Sequence, residues 1–126
     1  MRALLLLVAT GCSNHAAGVP PDASPTAVQL TCESGFATFP LLEKGCAAAT
    51  DCFIALHQTN CCGTTVAFGL NKIAERAFTA AEVECANAAW GCACRADPTL
   101  AEDGRTLVDG TIQVRCASGL CETYVP

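Results

Sequence analysis

Cys52-Phe53-Ile54-Ala55-Leu56-His57-Gln58-Thr59-Asn60-Cys61-Cys62-Gly63-Thr64-Thr65-Val66-Ala67-Phe68 is the stretch whose reading decides the fold. Cys52 to His57 is a short, nearly continuous apolar run, which reads as a buried strand, and Thr64 to Phe68 reads as another. Asn60-Cys61-Cys62-Gly63 lies between them as a turn-like connection, because Asn and Gly tolerate the backbone angles that a reversal demands.

Toward the C-terminus, Thr79-Ala80-Ala81-Glu82 fits a capping box, in which the threonine accepts from a free amide while the glutamate reaches back. A helix is therefore expected to begin after Thr79, run to about Trp90 and stop at Gly91, with Val83, Ala86 and Trp90 on one face. Asn71 to Phe78 adds a shorter preceding helix. Arg95 to Gly110, with Pro98, Gly104, Gly110 and several acids, has the composition of a loop. Thr111 to Cys116 and Leu120 to Val125 alternate around Ser118-Gly119 as a hairpin. A two-residue turn there pairs Ala117 with Leu120, Cys116 with Cys121, Arg115 with Glu122, Val114 with Thr123 and Ile112 with Val125. That register puts Ile112, Val114, both cysteines and Val125 on one face, and Gln113, Arg115, Glu122 and Tyr124 on the other. The expected fold class is α+β: a small disulfide-stapled domain with a short antiparallel sheet and one or two helices.

A chain of 126 residues is long enough for one domain. Aromatic residues are only 6% of it, and much of its 52% apolar content is alanine, so an unaided core would be thin. Twelve acidic against seven basic residues give a net charge of −5, which offers no attraction to nucleic acid or to anionic head groups. Nucleic-acid binding is excluded on that ground.

The eleven cysteines are Cys12, Cys32, Cys46, Cys52, Cys61, Cys62, Cys85, Cys92, Cys94, Cys116 and Cys121. Such density belongs to an oxidising compartment or to a metal site. Structural zinc sites present paired cysteines two to four residues apart, twice over, whereas Cys-x-x-Cys is absent here and His57 is the only histidine beyond residue 30. Disulfides are the expected use, with no cofactor and no metal. Ten cysteines allow on the order of a thousand pairings, so connectivity stays open. Cys61 and Cys62, and likewise Cys92 and Cys94, are each expected to pair outward with different partners.

The N-terminus accounts for the odd cysteine. Met1-Arg2 is a basic start, Ala3 to Ala9 a leucine-rich apolar centre, and small residues follow, which is the order of a signal peptide. Ala9-Thr10-Gly11-Cys12 resembles the lipobox of bacterial lipoproteins, whose cysteine is acylated and becomes the first residue of the mature chain. The resemblance implies a signal over 1–11, a lipid-anchored flexible tether over 12–30 and a cysteine-rich domain over 31–126. Its Pro20-Pro21-Asp22-Ala23-Ser24-Pro25 stretch suits a tether. Ser13 stands where aspartate would imply inner-membrane retention, so the implied location is the bacterial cell envelope, anchored to the outer membrane. Lipidation leaves an even set of ten cysteines.

Within the domain, Thr50-Asp51-Cys52, Cys61-Cys62-Gly63 and Cys116-Ala117-Ser118-Gly119-Leu120-Cys121 resemble cysteine-rich exported proteins of myxobacterial type. The resemblance implies a fold rather than an activity. The plant lipid-transfer pattern also holds Cys-Cys and Cys-x-Cys, but Cys85 intrudes here and Cys116 and Cys121 sit too close, so that match is rejected.

Catalysis is not expected. Nucleophilic hydrolysis needs a nucleophile, a base and a group orienting the base; His57 reads as a satisfied side chain, and Ser34 and Ser118 are the domain's only serines. Glu82 and Glu84 face different ways on a helix. The expected function is an envelope binding or structural module with an unidentified protein or ligand as partner. One alternative is a protease inhibitor inserting Arg95 or Arg105 from a disulfide-held loop. Another is thiol redox chemistry at Cys92-Ala93-Cys94 or Cys61-Cys62, against which Cys92 follows a helix end rather than opening a helix. The candidate recognition loop runs from Arg95 to Gly110 and carries Arg95, Asp97, Glu102, Asp103, Arg105 and Asp109, its middle free between fixed ends. Calcium is the ligand such oxygens suggest, but the spacing lacks the alternating acids of an EF-hand.

Overall fold

The structure is a computed structural model describing residues 26–33, 35, 37–88 and 91–126. The signal segment, Cys12, Ser34 and Trp90 lie outside the described residues. Among the described residues seven strands and one α-helix follow in the order β1 (Ala27–Val28), β2 (Leu42–Glu43), β3 (Cys52–Gln58), β4 (Thr65–Asn71), α1 (Glu75–Ala88), β5 (Leu100–Ala101), β6 (Gln113–Ala117) and β7 (Leu120–Tyr124). This is a small disulfide-rich α+β domain.

The opening stretch forms the central ladder: β3 and β4 pair antiparallel from Cys52↔Asn71 to Gln58↔Thr65. Asn60 makes the reversal, its Oδ1 accepting from the amides of Cys62 at 3.0 Å and Thr64 at 3.1 Å, while Gly63 takes φ 85°. β4 runs on to Asn71, three residues past the expected end at Phe68. β5 joins β4 in parallel, Val66↔Leu100 and Ala67↔Ala101, so α1 is the crossover of a βαβ unit.

One sheet face carries Phe53, Ala55, Phe68 and Leu70 against Phe78, Ala81 and Cys85 of α1 and against Leu30, Ala37, Phe39 and Leu42 of the N-terminal segment. The other face carries the β6–β7 hairpin. There β7 crosses β4 so closely that a methyl group on Gly69 would sit 2.6 Å from the Glu122 amide nitrogen and 2.7 Å from the Cys121 carbonyl carbon. Only glycine fits that crossing. Leu56, expected in a buried strand, is 52% exposed, because the hairpin covers β4 and leaves this part of β3 bare.

The hairpin has the expected register, Arg115↔Glu122 and Cys116↔Cys121 included. Ser118 and Gly119 both take positive φ, 52° and 77°, the geometry of a tight two-residue turn that matches strand twist. Arg115 donates to Glu122 at 3.3 Å, and Tyr124 donates to Gln113 at 2.8 Å, so these four side chains share the outer face.

The helix corrects the expectation. It begins near Asn71, whose Oδ1 accepts from the Ile73 amide at 3.0 Å, passes through a 3-10 turn (Lys72–Ala74) and continues unbroken to Ala88. No breaker separates residues 72 and 88, so the two expected helices are one. Thr79 lies exposed within it. The buried stripe is Ala74, Phe78, Ala81 and Cys85, at helical spacing, while Val83 is 55% exposed and Ala86 is exposed too. The folded part also begins before residue 31, since Ala27 and Val28 pair with Glu43 and Leu42 and Leu30 is buried.

Five disulfides staple these layers: Cys32–Cys85, Cys46–Cys116, Cys52–Cys121, Cys61–Cys92 and Cys62–Cys94. Neither adjacent pair bonds within itself. The cross-links place this domain in an oxidising compartment outside the cytoplasm. Among the described residues no helix is long and apolar enough to cross a membrane.

Candidate functional site

The segment from Arg95 to Gly110 is not one free loop. Its middle is the strand β5, and Glu102 next to it is built into the framework. The Glu102 carboxylate accepts from the Gly69 amide at 2.8 Å, from the Thr123 amide at 3.0 Å and from the Lys44 ammonium. Its own amide donates to Thr123 Oγ1 at 3.0 Å, and that buried hydroxyl donates to the Ala67 carbonyl at 2.6 Å. One carboxylate therefore ties β4, β7 and the end of β2 together where Gly69 brings the strands into contact.

Asp103 is likewise occupied, accepting from the amides of Arg105 at 3.0 Å and Val125 at 3.1 Å. Desolvation pushes its pKa up, but these two amides and the Arg105 and Arg115 charges outweigh that and hold it below the ordinary carboxylate value. The Arg105 guanidinium donates to the Pro126 carbonyl at 3.0 Å. Arg95, Asp97 and Asp109 remain exposed. Arg95 and Asp97 line a shallow hollow of 430 Å³ with Ala96, Pro98 and Leu107. The six expected recognition residues thus divide between Glu102, Asp103 and Arg105, which bond to the framework although Arg105 is exposed, and Arg95, Asp97 and Asp109, which are exposed. The acids do not converge on one point as a calcium site requires.

His57 is buried in β3 with both ring nitrogens engaged: Nδ1 lies 2.7 Å from Glu82 Oε2, and Nε2 donates to the Thr31 carbonyl at 3.0 Å. Glu82 Oε1 accepts from the Gln58 amide at 2.7 Å, which closes the outer edge of β3. Thr79 lies inside the continuous helix, where there is no start to cap, and Glu82 bonds to the sheet instead of reaching back to it. Ser118 sits in the hairpin turn. No polar atom of His57 is left for a substrate.

The most exposed chemistry belongs to sulfur. Cys61 and Cys62, half-buried in the β3–β4 turn, bond to exposed Cys92 and Cys94, and the Sγ atoms of Cys61, Cys92 and Cys94 lie within 4.8 Å of one another. A second group, Cys46, Cys52 and Cys121, is as tight but includes two buried members. The outward pairing expected of Cys61, Cys62, Cys92 and Cys94 is what the structure has, but that they pair with one another as a ladder was not legible. The nearly equal separations of 31 and 32 residues were the only trace of that connectivity.

A second surface runs along the outer side of α1, where Ile73, Ala80 and Val83 line an open groove flanked by Arg76 and Glu84. No protein-family model matches the chain, and comparison with curated proteins and with solved structures finds no match either.

Proposed function

We propose that this chain is a bacterial lipoprotein, held at the outer membrane by a lipid on Cys12, whose cysteine-rich domain serves the envelope as a binding or structural module. The observation that carries the reading is the cysteine balance. Eleven cysteines less the ten in five disulfides leave Cys12, and that cysteine follows Ala9-Thr10-Gly11. An exported protein that retains one unpaired thiol needs a use for it, and acylation is a use that consumes it. Each buried methylene of an acyl chain contributes about 0.8 kcal/mol, so stable attachment takes more than one chain.

The domain suits a module better than an enzyme. His57 is fully engaged, the acids are dispersed, and cross-links rather than a large core hold the fold. Metabolic labelling with a radioactive fatty acid tests the reading. Label should appear on the wild type and vanish in Cys12→Ala. An unlabelled wild-type protein starting elsewhere than Cys12 refutes it.

A further inference from the structure

We infer that the ladder Cys61–Cys92 and Cys62–Cys94 is a thiol–disulfide exchange site, at which an external dithiol reduces this domain without unfolding it. Accessibility is the first support. Cys92 and Cys94 are exposed, whereas Cys32, Cys52, Cys85 and Cys121 are 8%, 5%, 3% and 0% exposed. Attack on a disulfide needs an open path to one sulfur, and Cys94 offers it; no activated thiolate of the protein's own is required.

The second support is mechanical. Residues 91–98 are all exposed, and their backbone contacts include Cys92 to the Cys61 carbonyl at 3.3 Å and Asp97 to Thr64 Oγ1 at 3.0 Å. Because these eight residues lie on the surface, opening the ladder uncovers little core. On the other side the turn keeps its shape through Asn60, which needs neither disulfide. By contrast, Cys46–Cys116 sits against buried Cys52 and Cys121, so opening it disturbs the hairpin interface.

The chemistry balances as follows. One thiolate of the dithiol attacks Cys94 Sγ, forming a mixed disulfide and expelling Cys62 as a thiolate that takes a proton. The second thiol then attacks its partner sulfur in the mixed disulfide, closes the reductant into its own disulfide and expels Cys94. The dithiol loses two electrons and two protons, and Cys62–Cys94 gains both. Because the Cys94 sulfur lies within 4.8 Å of Cys61 and Cys92, its thiolate can next attack either one, expelling the other with no net redox change.

Limiting dithiothreitol added to the native, oxidised full chain, followed by N-ethylmaleimide and peptide mass mapping, tests the site. The first labels, Cys12 apart, should fall on Cys61, Cys62, Cys92 and Cys94, with the far-ultraviolet circular dichroism unchanged. First labelling among the other six domain cysteines overturns the inference. So does labelling spread evenly over all ten, or none under conditions that reduce added oxidised glutathione. In Cys62→Ser, Cys94 loses its partner, and disulfides Cys92–Cys94 and Cys61–Cys94 should appear beside Cys61–Cys92. Recovery of Cys61–Cys92 alone, with Cys94 fully alkylated, excludes exchange within the ladder.

Discussion

Replacing Glu102 separates a scaffold role from a recognition role. Its side chain is 18% exposed and that of Lys44 13%, so neither charge is freely hydrated. Glu102→Ala strands the amides of Gly69 and Thr123 and leaves the Lys44 ammonium without its partner. An amide hydrogen bond to a charged acceptor is worth about 1.5–3 kcal/mol, and an unpaired charge at a partly buried site adds to the loss. Water entering the vacated space recovers part of it, so the net cost is about 3–5 kcal/mol. Glu102→Gln keeps an acceptor for both amides and turns its NH₂ group toward Lys44, donor against donor, for an expected cost of about 1–3 kcal/mol. Lys44→Met, which keeps the aliphatic stem and leaves both amides bonded, should cost less than Glu102→Ala. Urea unfolding of the disulfide-intact proteins, followed by circular dichroism, measures all three. The ranking Ala worse than Gln is the signature of the scaffold role. Glu102→Ala within about 0.5 kcal/mol of wild type, the usual range for an unconstrained surface position, would refute the reasoning and return Glu102 to the free loop.

Three further perturbations follow from the geometry. Gly69→Ala places a methyl group 2.6 Å from the Glu122 amide nitrogen, and backbone atoms cannot yield as a flexible side chain does; a loss of at least about 2 kcal/mol is expected, and a melting temperature equal to wild type would show the hairpin free to move off β4. Asp51 accepts from the amides of Ala47 and Ala48, which hold its pKa below the ordinary 3.8, so its stabilisation is present above that pH and is lost as pH falls through the lowered value. The stability difference between wild type and Asp51→Asn should therefore be constant near neutrality and close in acid; a difference that persists at the lowest pH contradicts a stabilisation by these two hydrogen bonds. Glu82→Ala leaves the Gln58 amide without its acceptor and removes the carboxylate beside His57 Nδ1, and should cost about 2–4 kcal/mol, with faster hydrogen exchange at Gln58, whereas unchanged exchange there means that the amide has another partner.

What could be read from the sequence was local. Ser118-Gly119 and the alternation on either side specify the hairpin register, because turn length and pleat leave one solution. The β3–β4 pair was equally legible from Cys52 to Phe68. The start of α1 was not: Thr79-Ala80-Ala81-Glu82 satisfies a local rule, but Glu82 is claimed by His57 and Gln58 across the domain, and Asn71 caps from the end of a strand. β5 is two residues long and parallel, too short for a periodic signal. Glu102 lies 58 residues from Lys44, and nothing local marks it as their meeting point. Disulfide connectivity was hidden for the same reason, as was the strand pairing of Ala27 and Val28 beyond a proline-rich stretch. The exposed members of the candidate loop, Arg95, Asp97, Arg105 and Asp109, were found by composition, which reports exposure well and long-range contact poorly.

The account rests on ten cysteines paired within the domain and Cys12 set apart for a lipid. The intact mass of the mature protein extracted from its own membrane tests both at once. The predicted mass is that of a chain beginning at Cys12, lighter by the ten hydrogens of five disulfides and heavier by acyl groups that Cys12→Ala removes. A water-soluble protein of unmodified mass, with Cys12 alkylated by N-ethylmaleimide or absent from the mature chain, would contradict it.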